Sequence, residues 1–372
     1  MELKTKKPLL RFNAAHEEVE KSLSAAIFID DYLWVASDES ISLERLSTED
    51  GLTFENHKSV PLDGLITLPA AGTDVDQEID IEGLDFQDSH LWLVGSHSLK
   101  RKKVDETDEG DDTKLIKKLS KVESKGNRFI LARVPLIRSG AEQDLRSPTE
   151  SPPGSGKILK ASQLACGPKS NALVDAIRQA EGGKGDAHLA RFLDIPGKDN
   201  GFDIEGLAVA GSKVFLGLRG PVLRGWAVVL ELSIDTSDPS SLTLTNFEAV
   251  DRPYRKHFLN LDGLGVRELC LDGEDLLIMA GPTMNLDGSA RIYRWKGAVN
   301  SQEETLVRGD RLVRIFEIPM SLPGTDRPEG FAIIPGLSQP RQILVVYDSP
   351  SFKRTNEGTG TVTADVFELP EA

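Results

Sequence analysis

One short phrase recurs along the chain. Ile81-Glu82-Gly83-Leu84 returns as Ile204-Glu205-Gly206-Leu207, as Leu261-Asp262-Gly263-Leu264 and as Pro328-Glu329-Gly330-Phe331. Each copy opens an alternating apolar run. A polar turn then leads to a second run: Leu91-Trp92-Leu93-Val94, Val214-Phe215-Leu216-Gly217, Leu276-Leu277-Ile278-Met279 or Ile343-Leu344-Val345-Val346. A fifth copy has a hydroxyl in place of the acid. Ser24 precedes Phe28 as Glu82 precedes Phe86, and Tyr32-Leu33-Trp34-Val35 follows. Such repetition constrains architecture before any single motif does, because each unit buries its apolar faces only by stacking on its neighbours.

The repeat positions Ser24, Glu82, Glu205, Asp262 and Glu329 lie 58, 123, 57 and 67 residues apart. A four-stranded propeller blade takes roughly 40–50 residues. The expected fold is therefore all-β, a five-bladed β-propeller forming a single domain over residues 1–372, with small helical insertions. The long gap after Glu82 keeps six blades as the alternative. Two insertions account for that gap. Residues 96–127 join an acidic run to a lysine-rich one and read as a loop with a short helix. Residues 139–185 carry a helix over 172–180 that Gly182-Gly183 ends. Between them Phe129-Ile130-Leu131-Ala132 resumes strand patterning. Arg191-Phe192-Leu193-Asp194, resembling Arg314-Ile315-Phe316-Glu317, is expected to supply that blade's fourth strand. Leu9-Leu10-Arg11-Phe12 is expected to complete the last blade, closing the ring over an otherwise bare edge. A β-sandwich would not predict matching acidic openings, and an α/β fold would need helices between the strands.

A net charge of −15 argues against a nucleic-acid surface. No apolar stretch approaches the length needed to cross a bilayer, so no membrane partner is expected. The first ten residues lack a long apolar segment, which points to a cytoplasmic protein. Cys166 and Cys270 are too few and too far apart for a disulfide framework or a zinc site.

In a propeller the inner strand of each blade lines a central channel. Ser24, Glu82, Glu205, Asp262 and Glu329 would then form one ring. Four carboxylates so placed repel by about 1–4 kcal/mol per close pair. Either some stay protonated or a cation sits among them. Oxygen-only ligation suits Ca²⁺, or Mg²⁺, rather than zinc. The plainer reading is architectural: each Glu accepts backbone N–H groups of the next blade, and each following Gly permits close packing or a bulge. Cationic loops accompany the ring. Arg219, Arg255 and Arg327 suit phosphate or carboxylate oxygens. His97 and His257 are the candidate general acid–base groups. His16, His57, His90 and His188 read as surface or strand-end residues.

On Asp80-Ile81-Glu82-Gly83-Leu84, Asp203-Ile204-Glu205-Gly206-Leu207 and Arg327-Pro328-Glu329-Gly330-Phe331, the chain resembles a bacterial propeller family of unknown function related to the phytase-like esterase group. More distantly, the ring is similar to that of the calcium-activated nucleotidases, which are five-bladed. That resemblance implies an axial calcium held by Ser24, Glu82, Glu205 and Glu329, with Asp262 a departure from the all-Glu pattern.

Two functions fit these features. One is a metal-dependent hydrolase of a small anionic ester, such as a phosphoester, with Ca²⁺ polarising a substrate oxygen and the arginines neutralising the anion. The other is a non-catalytic ligand- or protein-binding propeller with a structural cation.

Overall fold

The computed structural model describes residues 5–13, 19–70, 78–105, 107–140, 142–151, 154–284, 286–320, 323–336, 341–356 and 358–370. The architecture is all-β and propeller-like, with two α-helices among the described residues. Residue 16, the site of one expected surface histidine, lies outside the described residues.

Five sheets carry the repeats. The first orders Leu23–Ile29, Tyr32–Ser37, Ser42–Ser47 and Thr53–Pro61 from the inside outward. The second orders Ile81–Gln87, His90–Gly95, Leu131–Ser139 and Glu142–Leu145. The third orders Asp203–Ala210, Lys213–Leu223, Trp226–Asp235 and Tyr254–Leu259. The fourth orders Gly265–Asp272, Asp275–Gly281, Ala290–Trp295 and Leu312–Ile318. In the fifth, Arg327–Ile333 and Gln342–Asp348 are followed by Asp365–Glu368 and then by Thr5–Lys6 from the start of the chain. The first two strands of four sheets join through two-residue turns, at Asp30-Asp31, Asp88-Ser89, Gly211-Ser212 and Gly273-Glu274. Asp88 and Ser89 both take positive φ, as such hairpin turns require.

The second strands explain how the sheets stack. They are apolar on both faces because each sheet is buried on both sides. Leu276 and Ile278 pack toward the third sheet with Phe215 and Val229. Leu277 and Met279, one residue out of phase, pack toward the fifth with Val345 and Phe367. The same division recurs around the molecule. Trp34 and Leu43 of the first sheet meet Leu93 of the second. Trp92 and Val94 meet Leu216 and Val228 of the third. Val346 of the fifth meets Leu33 and Val35 of the first. The inner strands also pack side by side, Ile81–Gln87 against Asp203–Ala210 and Arg327–Ile333 against Leu23–Ile29 among them.

The start of the chain does close the last sheet, but through Thr5–Lys6, which pairs with Val366 and Phe367. Leu9–Arg11 runs beside the outer strand of the first sheet and pairs with Thr361–Thr363. The two expected insertions are corrected as well. Arg191-Phe192-Leu193-Asp194 is not a strand; Ala190–Phe192 forms a 3-10 turn against the second helix. The fourth strand of the second sheet is Glu142–Leu145, inside the expected second insertion. Among the described residues the segment between the second and third sheets adds only short strand pairs, not another four-stranded sheet. The helix α1 at Asp112–Leu119 starts on an Asp111 cap, and α2 at Ala172–Gly183 on Asn171. No helix of the described residues is long and apolar enough to cross a membrane.

The glycine of the recurring phrase has a packing role. A methyl group on Gly83 would lie 2.7 Å from Leu207 Cβ and 2.8 Å from its backbone nitrogen. One on Gly206 would lie 2.9 Å from the Leu269 nitrogen, and one on Gly330 2.8 Å from Ala25 Cα. Each glycine lets an inner strand abut the next. Gly83→Ala should therefore cost about 1–3 kcal/mol through overpacking, read as a lower urea midpoint at unchanged slope. Gly51→Ala, whose methyl would meet nothing within 4 Å, tests the comparison at a site where only its positive φ is strained.

Candidate functional site

Each inner strand slips register by one residue at the same place. The slips fall between Leu23 and Ala25, Ile81 and Gly83, Ile204 and Gly206, Val266 and Glu268, and Pro328 and Gly330. Such a bulge leaves one residue unpaired and re-aims its side chain. The five bulged residues are Ser24, Glu82, Glu205, Arg267 and Glu329. The fourth sheet thus contributes Arg267 to the ring, not Asp262.

Arg267 joins two glutamates. Its Nη1 donates to Glu205 Oε2 at 2.9 Å and to Glu329 Oε1 at 2.8 Å. Arg219, from the second strand of the third sheet, makes a short ion pair with the other oxygen of Glu205. Its Nε donates to the Thr283 carbonyl at 2.9 Å and lies 3.5 Å from Asp203. Burial works against that guanidinium's charge, yet Glu205 and Asp203 hold it more firmly protonated than usual. Arg128 reaches Asp80 at 3.0 Å and Glu78 at 2.9 Å. Ser24 is occupied differently: its hydroxyl donates to the Ile81 carbonyl at 2.5 Å, tying the first inner strand to the second.

Glu82 is left with acids. It is 8% exposed. Burial, then Asp80, Glu205, Glu329 and Asp38, pushes its carboxyl well above the usual range. No basic group among the described residues pairs with it. Asp38 is raised by burial and by Asp80, Glu329 and Asp348, and its Oδ1 is buried without a hydrogen-bond partner. Burial outweighs Arg267 to bring Glu329 up to about 7, and outweighs Arg219 to bring Asp203 up to about 7. Among the described residues, the carboxyls of Asp38, Asp80, Glu82, Asp203, Glu205, Glu329 and Asp348 thus gather with the guanidiniums of Arg128, Arg219, Arg267 and Arg327. At an effective dielectric of 20, like charges 4 Å apart cost about 4 kcal/mol. Proton uptake relieves that cost in the absence of another cation. Beside the ring a small cleft of about 30 Å³ opens between the fourth and fifth sheets, lined by Arg267, Pro282, Asp287, Asp326 and Arg327. Arg327 lies 3.8 Å from Asp348.

The remaining expected site residues lie elsewhere. Asp262 sits in the turn before its strand, half exposed, bonded to Arg291 and Tyr293 at 2.9 Å each. Arg255 is on the outer strand of the third sheet, stacked 4.0 Å over Phe247. His257, on the same strand, is fully buried between Glu231, at 3.0 Å, and the Trp295 ring. His97 is buried against the second sheet. Its Nδ1–H donates to the Gly95 carbonyl at 2.7 Å, and its Nε2 accepts from Asn171 at 2.6 Å. Burial lowers its pKa to about 4, so it is a neutral anchor for the cap of α2. His90 opens a strand but is buried, His57 pairs with Glu44, and His188 is half exposed. Neither candidate acid–base histidine is at the ring.

The sequence contained a signal for Arg267. Ser24, Glu82 and Glu205 each stand nine residues before the first aliphatic residue of the second strand, at Leu33, Leu91 and Val214. Arg267 stands nine before Leu276, whereas Asp262 stands fourteen before it. A second group of buried acids, Asp85 and Glu268, lies close together on the inner strands of the second and fourth sheets. Burial raises the Asp85 carboxyl to about 7, although it accepts from the Val209 and Phe86 amides. Glu268 is likewise raised, and its Oε2 has no partner.

Two measurements follow from this geometry. Arg267→Ala should destabilise by roughly 3–5 kcal/mol, because it strands buried carboxylates; Asp262→Ala should cost less than about 1 kcal/mol. Equal effects in chemical denaturation would put the ring elsewhere. The second concerns pH. Asp85, Asp203 and Glu329 have folded pKa values near 7, above the unfolded range of about 4. The stability these groups contribute is complete below the unfolded value and is lost as pH rises through about 7. The melting temperature should fall between about pH 4 and pH 7 and level off above it, and less steeply in Glu82→Gln, which should also melt higher at pH 8. A flat wild-type profile would contradict this.

No curated protein matches the chain. Among solved structures it is similar to the glutaminyl cyclase of Myxococcus xanthus, at 10% identity and a TM-score of 0.40, over 99% of this chain and 98% of that one. It is also similar to the allergen Mala s 1 of Malassezia sympodialis, at 10% identity and a TM-score of 0.43, over 94% and 95%. A third is the α-L-arabinofuranosidase PaAbf62A of Podospora anserina, at 11% identity and a TM-score of 0.43, over 99% and 96%. Likeness of this degree bears on no activity. Residues 22–365 match the sequence profile of a protein family of unknown function, DUF3616, and the chain belongs to that family.

Proposed function

We propose that the chain is a five-bladed propeller whose axial mouth binds a divalent cation together with a small anionic ester. The five sheets and their five inter-sheet cores support the blade count. The observation that carries the binding reading is the uncompensated pair Glu82 and Asp38 beside a ring whose other glutamates are held by arginine. Among the described residues no three His, Cys, Asp or Glu side chains are placed to enclose an ion. A cation here would have two carboxylates and need further oxygens. Mg²⁺ is commonly held by one or two carboxylates plus ligand phosphates, and Ca²⁺ also accepts such mixed shells. Arg267 and Arg327, lining the adjacent cleft, suit the ester's anionic group. Cation and ester would then bind cooperatively, each completing the other's partners.

Hydrolysis of the bound ester is the second reading. One observation favours it: Glu82 holds its proton above the usual carboxyl range beside a cationic cleft, as a general acid must. The resemblance to phytase-like esterases and calcium-activated nucleotidases points the same way.

Titration with MgCl₂, CaCl₂ and phenyl phosphate, alone and combined, tests both readings. Cation and ester together should raise the melting temperature more than the sum of each alone. The effect should vanish in Glu82→Gln and weaken several-fold in Arg327→Ala. No thermal shift or heat in any combination would overturn the binding reading. Phenol release that Glu82→Gln abolishes would support hydrolysis, and binding without release would assign a carrier or sensor.

A further inference from the structure

On the turn side of the inner strands, where the fifth sheet meets the first, lies a cleft of about 450 Å³. That volume is in the range of small-molecule sites. It is separate from the axial mouth and shares no residue with it. Phe28 and Phe54 make its floor, with ring centroids 5.8 Å apart and planes tilted by 55°. Ile334 and Val366 of the fifth sheet complete the apolar part.

The rim is acidic. Asp30 and Asp31 form the turn between the first two strands, and Asp50 joins them in the lining; among the described residues Lys6 is the one basic residue there. The Asp50 carboxylate is fixed by the Leu52 and Thr53 amides, at 2.7 and 2.8 Å, and these bonds keep it ionised. Asp30 accepts from Gln143 at 2.8 Å, and Arg138 reaches Asp30 and Asp31 only at 3.3 and 3.4 Å. Asp31 is 84% exposed along its side chain, so its pairing with Arg138 is weak. The seam therefore combines an aromatic and aliphatic floor with an excess of carboxylate at its lip. Aromatic faces and carboxylates both favour positive charge.

We infer that this seam cleft binds an amphiphilic organic cation, its apolar body on the floor made by Phe28 and Phe54 and its ammonium group at Asp30 and Asp31. Neutral and anionic molecules of the same shape gain the floor but not the rim.

Three probes of matched size separate these terms: 2-phenylethylammonium, 2-phenylethanol and 3-phenylpropionate, titrated at 50 mM salt with protein-observed NMR. The ammonium should bind at least tenfold more tightly than the carboxylate, with the alcohol between them, and the gap should narrow at 0.5 M salt. Asp30→Asn with Asp31→Asn should weaken the ammonium at least fivefold while leaving the alcohol unchanged. Gln342→Trp, which fills the cleft from its rim, should abolish binding of all three. Glu82→Gln should leave the affinities of all three probes as they are, since the axial acids are a different site. Three equal affinities, no binding by 10 mM, or ammonium binding lost in Glu82→Gln but kept in Gln342→Trp would each overturn the proposal.

Discussion

The arrangement at the ring depends on one guanidinium. Arg267 enters where the other inner strands place an acid or a hydroxyl, and a single nitrogen serves Glu205 and Glu329. Without it, two buried carboxylates from different sheets would face Glu82 with only Arg219 in reach of one of them. Breaking a buried pair is far costlier than the pair is worth relative to apolar packing. The fold therefore tolerates a concentrated acidic centre only because the fourth sheet breaks the pattern of its siblings.

Backbone geometry places that centre. A register slip in each inner strand turns one side chain away from the ladder, and the next residue is small in four of five strands: Ala25, Gly83, Gly206 and Gly330. Small residues there let neighbouring strands touch. In the fourth strand the position holds Glu268, buried, with its carboxyl raised by desolvation. Close packing and acid burial are thus consequences of one local device. Function, in the reading favoured here, uses the charge imbalance that the device leaves at Glu82 and Asp38.

Much of this was legible in the sequence. Period-two apolar runs bounded by turn residues located the two inner strands of every sheet, and the Glu-Gly step located three bulges. Asp262 misled because Leu261-Asp262-Gly263-Leu264 copies the wording of the other repeats, and because Glu329 also stands fourteen residues before the first aliphatic residue of its second strand, Ile343. Only the constant nine-residue interval of the short hairpins separates the true position from the copy. The outer strand Glu142–Leu145 escaped notice because an edge strand need not be apolar. Arg191-Phe192-Leu193-Asp194 has strand-like composition but meets α2, which makes it a helical turn. His97 and His257 lie away from the ring for a plainer reason. Proximity to a loop in sequence does not reveal burial, and both imidazoles are enclosed by partners from distant segments, Asn171 and Glu231.

A double-mutant cycle between Arg267→Met and Glu329→Gln bears most directly on the central claim. If the guanidinium is the counter-ion that makes the acidic ring tolerable, the two substitutions should be strongly non-additive, with a coupling of about 1–3 kcal/mol. The double variant should then be no less stable than Arg267→Met alone. Additive losses would mean that the two side chains act independently, and the account of the ring would be wrong.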